Sequence, residues 1–413
     1  MKISLNWIKQ FVDVPAKYSA KELAELLTLR TCEVEGFEDE KVKFANMVVG
    51  RIVKLRSHSN ADKLHLVDTD IGGRVVQIVC GGQNLFEGMI VAVALPGAIV
   101  NWHGAGETVE LKETKIRGEL SFGMICAGEE INLPPSPPEF VTNMTELWTK
   151  MGIKPSKTGT PLAEALNFND IVFEIDNKSL THRPDLWGHY GIALEFAAIL
   201  GKKLKPLAPK ITFPKSGDHV NVKVEKSGIL SRFLSTIITG IKIEESPEWL
   251  ESRLTAVGVR PINNVVDITN YVMCETGHPM HAFDRKLVGD DSLVIRYAKN
   301  AESINAIDHK TYKLSNEDAL VTNGDRALAV AGIIGGADTE INLRTTEIIL
   351  ELATWNPVMI RKTSQRHTLR TDAAQRFEKS LDPEDSAVAF LRACELILEV
   401  CKGSKLAGPL TDV

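Results

Sequence analysis

The 413-residue sequence lacks the features of a secreted or membrane-spanning protein. Only Lys2 precedes the first apolar residues, and polar side chains interrupt the segment 3–11, so no secretory signal is predicted. The longest apolar run, residues 89–100, is broken by a Pro-Gly pair and is too short to cross a bilayer. We therefore expect a cytoplasmic location and no membrane partner.

Paired cysteines and an excess of positive charge are also missing. No two cysteines form a CxxC pair, so no zinc or other metal site is expected, and buried reduced thiols are predicted at Cys32, Cys80, Cys126, Cys274, Cys394 and Cys401. The net charge of −6 argues against a general nucleic-acid coat but permits a local basic patch. Apolar residues make up 44% and charged residues 25%, as in ordinary globular proteins, and the length predicts two to four domains.

The patterning of the chain predicts three domains of an α+β multidomain protein. A helical or α+β unit is expected from residues 1–40 and 151–207, and residues 41–150 read as a small β-barrel. The remainder, 208–413, mixes strands and helices. Residues 131–160 read as a linker because of their prolines, and Ser19 with Glu22 forms a capping box that starts a helix.

Individual elements follow from alternation, glycine and proline. Strands are expected at 48–55, 64–71, 75–79, 90–95, 108–117, 123–127, 171–175, 292–297, 327–334 and 347–352. Helices are expected at about 188–200, 247–258, 263–275 and 383–403.

The predicted barrel begins with a concentration of positive charge in which Asp62 is the only acid. The cations within residues 41–65 are Lys41, Lys43, Arg51, Lys54, Arg56 and Lys63. A phosphate backbone would be attracted to such a face, although a solvated face of a protein-contacting barrel explains it equally well.

The predicted helix at 263–275 carries polar residues on one side. Asn263, Asp267, Asn270 and Cys274 fall on one face by their spacing. A bend follows at once, so His281 could face this stripe and position a water or an ester. The alternatives are a plain solvent face and a core histidine. Two histidines of this bend without further ligands do not indicate a metal.

Two small-residue pairs and one acidic residue complete the candidate chemistry. Ala331-Gly332 and Gly335-Gly336 could expose backbone N–H groups to a carbonyl or a phosphate, or could simply form a tight turn. Glu351 lies within an apolar strand, where a carboxylate costs several kcal/mol unless it has a partner. It is expected either to pair with an arginine or to accept a hydrogen bond from a substrate hydroxyl.

Several motifs resemble a known family. HSNADKLHL, IVCGGQN and KIRGELSFGMICAGEE are similar to the OB-type tRNA-binding barrel of several synthetases. FEIDNKSLTHRPDLWGHYGIALEFAAILGKKL resembles the segment that follows this barrel in bacterial-type phenylalanyl-tRNA synthetase beta subunits. PINNVVDITNYVMCETGHPMHAFD, AVAGIIGGADTEI, IILELATWNP and residues 370–382 resemble the B3/B4 editing domain of that family. The resemblance implies an OB-type barrel inserted in the N-terminal unit and followed by an editing domain.

The resemblance also implies roles for residues at the matching positions. Catalytic roles fall on His281 and Glu351, and the editing pocket would use Thr269, Asn270, Ala331, Gly332 and Ala353. tRNA contacts are expected from Lys54, Arg56, His58, Asn60, Lys63 and Arg117. The sequence departs from the family at His278, where Gln is common, and at Ala373 and Ala374, where Ser is usual.

The function implied is hydrolysis of mischarged Tyr-tRNA(Phe) by part of a phenylalanine–tRNA ligase. Tyrosine differs from phenylalanine by one hydroxyl, which an apolar synthetic pocket rejects only about a hundredfold. The whole enzyme would pair this chain with an alpha subunit in a heterotetramer and use ATP and Mg²⁺, neither of which this chain is expected to bind. The later domains of the family are missing from the sequence. Alternatives are a non-catalytic tRNA-binding module and a free-standing deacylase that acts in trans.

Overall fold

The chain folds into two compact units. The structure, a computed structural model, describes residues 1–104 and 106–413, with His103 described by its backbone alone. Residues 38–171 form one unit, here the barrel unit, and residues 1–37 with 172–413 form the other, here the main unit. Residues 151–171 therefore belong to the barrel unit, whereas the sequence grouped them with the N-terminal residues. The division into three domains stays a prediction.

The elements up to the end of the barrel unit are short, apart from one long strand. They are β1 Lys2–Ser4, α1 Leu5–Ile8, α2 Ala20–Arg30, β2 Val34–Asp39, α3 Glu40–Lys43, β3 Met47–Ser57, β4 His65–Asp70, β5 Val75–Cys80, β6 Ile90–Ala94, β7 Ile99–Asn101, β8 Thr108–Glu110, β9 Thr114–Ile116, β10 Glu119–Ser121, β11 Met124–Ile125, α4 Met144–Lys150, α5 Leu162–Ala165 and β12 Ile171–Ile175.

The rest of the main unit alternates strands and helices. Its elements are α6 His189–Leu200, β13 Asn221–Val224, β14 Leu230–Thr239, α7 Glu248–Ala256, α8 Asn264–Thr276, β15 His281–Asp284, α9 Arg285–Val288, β16 Ser292–Tyr297, β17 Ser303–Asn305, β18 Thr311–Lys313, β19 Ala319–Thr322, β20 Ala327–Val330, β21 Ile334–Gly335, β22 Glu347–Trp355, α10 Pro357–His367, α11 Asp372–Phe377, α12 Pro383–Val400, β23 Lys405–Leu406 and β24 Thr411–Asp412.

The barrel unit has the strand order of an OB-type barrel. Its five-stranded antiparallel sheet runs β11-β6-β3-β4-β5, so the first strand, β3, is central. The open edges meet through single bonds: Phe122 N–H donates to the Gln77 carbonyl at 2.9 Å, and Val79 N–H donates to Ser121 Oγ at 3.0 Å. The barrel is thus nearly closed around buried side chains such as Ile52, as the sequence predicted.

The main unit places two sheets around one apolar core. One sheet runs β13-β16-β19-β20-β21, and the other runs β15-β22-β14-β23 with β24 also paired to β14. Their shared core includes Phe233, Phe283, Ile295, Ile349 and Trp355, all nearly inaccessible to solvent. Residues of β22 alternate between faces, so Ile349 and Ala353 enter this core while α12 packs against the same strand.

Several predicted elements are confirmed and others are wrong in detail. The capping box forms: Glu22 N–H donates to Ser19 Oγ at 3.2 Å, and the Ser19 N–H donates back to the Glu22 carboxylate at 2.8 Å. The strand expected at 108–117 is instead two short strands, β8 and β9, because the intervening residues leave the ladder. The linker at 131–160 contains α4, which Asn143 caps. The strand expected at 327–334 is interrupted at Ala331–Ile333.

All six cysteines are buried free thiols, as predicted. Over residues 1–104 and 106–413, no group of three or more His, Cys, Asp or Glu side chains could hold a metal ion. In the same residues, no helix has both the length and the apolar character needed to cross a membrane.

Candidate active site

His281 and Glu351 lie side by side on neighbouring strands of one sheet. β15 pairs antiparallel with β22 so that His281 is directly opposite Glu351, and β14 places Ser235 opposite Glu351 on the other side. Directly opposed residues point to the same face with Cβ atoms roughly 5 Å apart. Two residues far apart in the sequence are thus brought together in a row Ser235–Glu351–His281.

Glu351 is an acid on an apolar face. Its neighbours along the strand on that face are Ile349 and Ala353, and Phe233 lies opposite Ala353 on β14. The Glu351 Oε2 atom is inaccessible and has no hydrogen-bond partner. Burial alone raises the pKa of this carboxyl to about 8. The arginine pair expected as one alternative is not formed by any residue the structure describes.

His281 is half-buried as a residue, but its ring nitrogen Nε2 is enclosed. Its Nε2 atom is inaccessible and has no hydrogen-bond partner, and its ring packs edge-on against Phe283 with 4.4 Å between centroids. Burial lowers the pKa of the imidazole to about 4. Gly335 lies against the ring, because a Cβ built on this glycine would be 2.6 Å from His281 Cε1. The ring is therefore neutral at pH 7 and keeps a nitrogen available to a ligand.

His278 differs from His281 although only three residues separate them. Its ring nitrogens face the carbonyl oxygens of Thr276 at 3.2 Å and Asp382 at 3.1 Å. His278 is buried, and burial lowers its pKa as well. This histidine fastens the end of α8 to the start of α12, which is a structural role.

The turn at Ala331–Ile333 lies on the same core. Gly332 has φ +66°, and a Cβ there would be 2.6 Å from Ile360 Cδ1 and 2.7 Å from Trp355 Cδ1, so no larger residue fits. Ala331 N–H donates to the Ala319 carbonyl and Ile333 N–H to the Val330 carbonyl, both at 2.9 Å. Within the described part of the chain, the Gly332 N–H makes no hydrogen bond.

Two residues of the predicted polar stripe, Asn263 and Asp267, have structural roles at the start of α8. Asn263 caps the helix through the N–H groups of Val265 and Val266. Asp267 is fully buried and accepts hydrogen bonds from Ser246 Oγ at 2.6 Å and Ile262 N–H at 2.8 Å. The prediction that His281 faces this stripe is therefore not supported by any hydrogen bond, and the stripe holds the helix in place.

Among the described residues, the remaining pocket residues form no hydrogen bond with His281 or Glu351. Thr269 is buried and its Oγ1 donates to the Val266 carbonyl at 2.6 Å, while Asn270 is half-buried. α8, which carries both, lies beside β15. Ala353 is buried two residues beyond Glu351 on the same face. Their roles in a pocket stay predictions.

The predicted tRNA-binding residues of the barrel unit fall into two groups. Arg56 pairs with Asp68 and donates to Gln77, and His58 is buried between the Ile116 carbonyl at 3.2 Å and the Asn60 N–H at 3.0 Å. These two side chains stabilise the barrel. The exposed group consists of Lys54, Asn60, Lys63 and Arg117.

Sequence reasoning missed three features of the site. Ser235, in the same row as Glu351, lies in β14, which was not identified as a strand; its Oγ donates to the Leu350 carbonyl at 2.9 Å. Gly335, which supports His281, was noted only as part of a turn. The cross-strand register itself could not be read from the sequence, although the alternation of β22 could have indicated that Glu351 shares its face with Ile349.

Comparisons with known proteins define the class of protein first. A tRNA-binding domain family matches residues 47–144, and the B3/4 domain family matches residues 229–402. The barrel unit and the two-sheet core of the main unit are therefore the folds of these two domain families.

Full-length relatives then identify the particular family. The phenylalanine–tRNA ligase beta subunits of Halalkalibacterium halodurans and Anaeromyxobacter dehalogenans are 39% and 38% identical to 99% of this chain, which covers 50% and 49% of them. The chain belongs to the phenylalanine–tRNA ligase beta-subunit family and spans about half the length of these relatives. A solved N-terminal fragment of the Pyrococcus horikoshii beta subunit aligns with 54% of this chain and 72% of that one, at 17% identity and a TM-score of 0.28.

Proposed function

We propose that this chain hydrolyses a tyrosyl ester on the 3′ end of tRNA(Phe) at the His281–Glu351 pair. The observation that carries the proposal is the pairing of two buried polar atoms, His281 Nε2 and Glu351 Oε2, which lack partners and lie on one face of one sheet. Buried polar groups are otherwise nearly always hydrogen-bonded. A ligand that supplies both partners at once would be bound selectively.

Glu351 supports selectivity for the hydroxylated amino acid. Its apolar surroundings suit an aromatic ring, and its carboxyl, whose pKa is raised to about 8, is mostly protonated at pH 7 and can exchange hydrogen bonds with a phenol. Phenylalanine would occupy the same place and leave the carboxyl unpaired, at a cost of about 1–3 kcal/mol. The site would thus accept tyrosine, which an apolar synthetic pocket rejects only weakly.

His281 supports the hydrolytic step. Its neutral ring can accept a hydrogen bond from a water molecule and orient it toward the ester carbonyl. With its pKa lowered to about 4, the ring is a weak base, so it positions the water more than it removes a proton. The water oxygen bonds to the carbonyl carbon, the bond from that carbon to the ribose oxygen breaks, and a proton passes to the ribose with help from its vicinal hydroxyl.

We also propose the wider context from the family. The complete enzyme would attach phenylalanine to tRNA(Phe) with ATP and Mg²⁺, in a heterotetramer with an alpha subunit and in the cytoplasm. The exposed cations of the barrel unit, among them Lys54 and Lys63, would contact tRNA. The editing pocket would include Thr269, Asn270 and Ala353, and the three-domain division would place the pocket in residues 208–413.

The test is the deacylation rate of Tyr-tRNA(Phe) with this chain, with Phe-tRNA(Phe) as the control substrate. Faster loss of tyrosine than of phenylalanine, abolished in His281→Ala, is the expected result. If hydrolysis is absent both in this chain and in the assembled enzyme, the chain is a non-catalytic tRNA-binding module. Hydrolysis by this chain added in trans to a separate synthetase would favour a free-standing deacylase.

A further inference from the structure

A surface groove in the main unit lies outside the site described above. It holds about 380 Å³ and is formed by the end of β16, the turn after β13, the residues before β19 and the first turns of α10. Its lining includes Lys226, Tyr297, Asn316, Asn356 and Lys362. An aromatic ring, cations and amides in one open groove are the side chains that proteins use to hold unstacked nucleotides.

Tyr297 offers a stacking surface. Tyr297 and Lys226 both line the groove, and the Lys226 ammonium lies over the half-buried ring, 5.2 Å from its centroid. Lys226 is exposed and long, so its ammonium can move to a phosphate while a base takes its place over the ring. Asn316 is exposed beside it, whereas Asn356 is occupied in capping α10 and bonding to the Gly228 carbonyl.

The groove carries net positive charge. Arg366 is bound to Glu317 and to the buried Asp318, so these charges are already compensated. Lys226 and Lys362 form no ion pair with any residue that the structure describes. Residues 357–371 contain four cations and no acid, in a chain of net charge −6, and they are Arg361, Lys362, Arg366 and Arg370. This concentration favours a polyanionic ligand.

The groove also adjoins the candidate active site through α10. Trp355 and Ile360 touch Gly332, while their chain neighbours Asn356 and Met359 line the groove. An α-helix with its side chains is about 10–12 Å across. The width of α10 therefore separates the groove from the turn at Ala331–Ile333.

We propose that this groove binds one nucleotide of the single-stranded 3′ end of the tRNA. Tyr297 stacks on the base, and Lys226 and Lys362 contact the adjoining phosphates. The groove thereby holds the RNA just ahead of the terminal ribose whose ester enters the His281–Glu351 site. This inference rests on the proposed function and adds to it the place where the nucleotides before the ester are held.

The first experiment compares two substrates of this chain. The variants are the double variant Lys226→Gln/Lys362→Gln and the single variant Tyr297→Leu. The control is Lys402→Gln/Lys405→Gln, whose lysines are exposed and outside the groove. We expect KM for Tyr-tRNA(Phe) to rise about tenfold or more, as loss of one stacked base predicts, with kcat retained. Hydrolysis of 3′-O-tyrosyl adenosine, which has the ester but no preceding nucleotide, should not change. Tyr297→Phe keeps an aromatic ring and should therefore have the same KM as the wild type.

The second experiment does not depend on hydrolysis. Fluorescence anisotropy measures binding of an uncharged single-stranded RNA ending in CCA over a range of salt concentrations. The double variant should bind about tenfold more weakly, and its slope of log K against log salt should fall by about 1.4, since each single-strand phosphate contact contributes about 0.7. Equal binding by the double variant and the control, or no binding by the wild type, would contradict the proposal that the groove binds RNA. Absence of hydrolysis with intact RNA binding overturns the proposed function alone.

Discussion

The His281–Glu351 pair of the main unit and the residues His58 and Lys54 of the barrel unit present their polar atoms in opposite ways. At the His281–Glu351 pair, the polar atoms are buried and have no partners. In the barrel unit, His58 is buried with both ring nitrogens in hydrogen-bond contact with the chain, and Lys54 is exposed to solvent. The first arrangement suits a small, uncharged group that must be recognised by one hydroxyl, and the second suits a polyanion held by charge.

This difference concerns the cost in stability of leaving a polar group without a partner. A buried polar atom without a partner lowers the stability of the free protein, and a ligand that supplies the partner restores the lost hydrogen bond. An exposed lysine costs nothing when unpaired, so its presence alone indicates little. The predictions below test the comparison, from the largest expected effect to the smallest.

The two histidines of one bend should have opposite phenotypes. His281→Ala should lower the rate of Tyr-tRNA(Phe) hydrolysis about 100-fold or more, because a positioned imidazole typically contributes that much. His278→Ala should retain the rate but lose about 1–3 kcal/mol of stability, because a buried backbone carbonyl loses its donor. Single-turnover kinetics and thermal unfolding measure both. If the His278 variant were stable but inactive, His278 would have the catalytic role that we assign to His281.

Gly335→Ala should disturb the site without replacing a catalytic residue. The new methyl would lie 2.6 Å from His281 Cε1 and must displace the ring. A displacement of about 1 Å at a catalytic group costs up to about 100-fold in rate, so we expect a loss of 10- to 100-fold.

Gly36→Ala is the matched control for that variant. A Cβ at Gly36 meets nothing within 4 Å, and this glycine does not require a positive φ. Its hydrolysis rate should equal that of the wild type. If both alanine variants were fully active, the ring position inferred for His281 would be wrong.

Replacing Glu351 by Met should stabilise the main unit while it removes activity. The variant exchanges an unpartnered buried carboxyl for an apolar side chain of similar size, with an expected gain of about 1–3 kcal/mol in the free energy of unfolding. Glu347→Met, on the same strand, should instead be neutral or destabilising, because Glu347 pairs with Arg285 at 2.9 Å. Denaturant unfolding distinguishes them, and a less stable Glu351 variant would contradict the account.

The same carboxyl should make stability depend on pH. The folded-state pKa of Glu351 is raised from 4.5 to about 8, so its contribution is lost as pH rises through this interval. The pKa of His281 is lowered from 6.5 to about 4, so its contribution is gained as pH rises from 4 to 6.5. The two oppose each other below pH 6.5. Between pH 6.5 and 8 only the loss remains, so the melting temperature of the wild type should fall relative to that of Glu351→Gln.

The smallest effects are expected in the barrel unit. Lys54→Gln and Lys63→Gln should leave stability unchanged and each lower the slope of log K against log salt for tRNA by about 1, if each contacts one phosphate. Arg56→Gln should lower stability instead, because the guanidinium is held by Asp68 and Gln77. Filter binding and thermal unfolding separate the two. An unchanged salt slope in both lysine variants would place the tRNA elsewhere.

The sequence predicts the local structure well wherever a single residue enforces it. The Ser19–Glu22 capping box, the Gly201 end of α6 and the alternation of the barrel strands are local signals, and the structure confirms them. Charge was less informative: Arg56 and His58 looked like ligands for tRNA because the sequence does not show which side chains find partners inside the barrel.

The candidate site could be predicted only through family resemblance. Nothing local to Glu351 or His281 shows that the chain returns to the same sheet in register after the 69 residues between them. The polar stripe of α8 had the spacing of a functional face, yet Asp267 is used to fasten a loop. Long-range pairing decides which polar residue is satisfied and which is left for a ligand, and periodicity carries no information about it.

The central claim is that the Glu351 carboxyl recognises the phenolic hydroxyl of tyrosine by a hydrogen bond. A comparison of four hydrolysis rates tests this claim most directly. The hydrolysis rates of Tyr-tRNA(Phe) and Phe-tRNA(Phe) are measured with the wild-type chain and with Glu351→Ala under single-turnover conditions. We predict that the substitution slows the tyrosyl ester at least about tenfold more than the phenylalanyl ester, as loss of a hydrogen bond worth roughly 1–3 kcal/mol requires. Equal slowing of both esters would show that Glu351 does not recognise the hydroxyl.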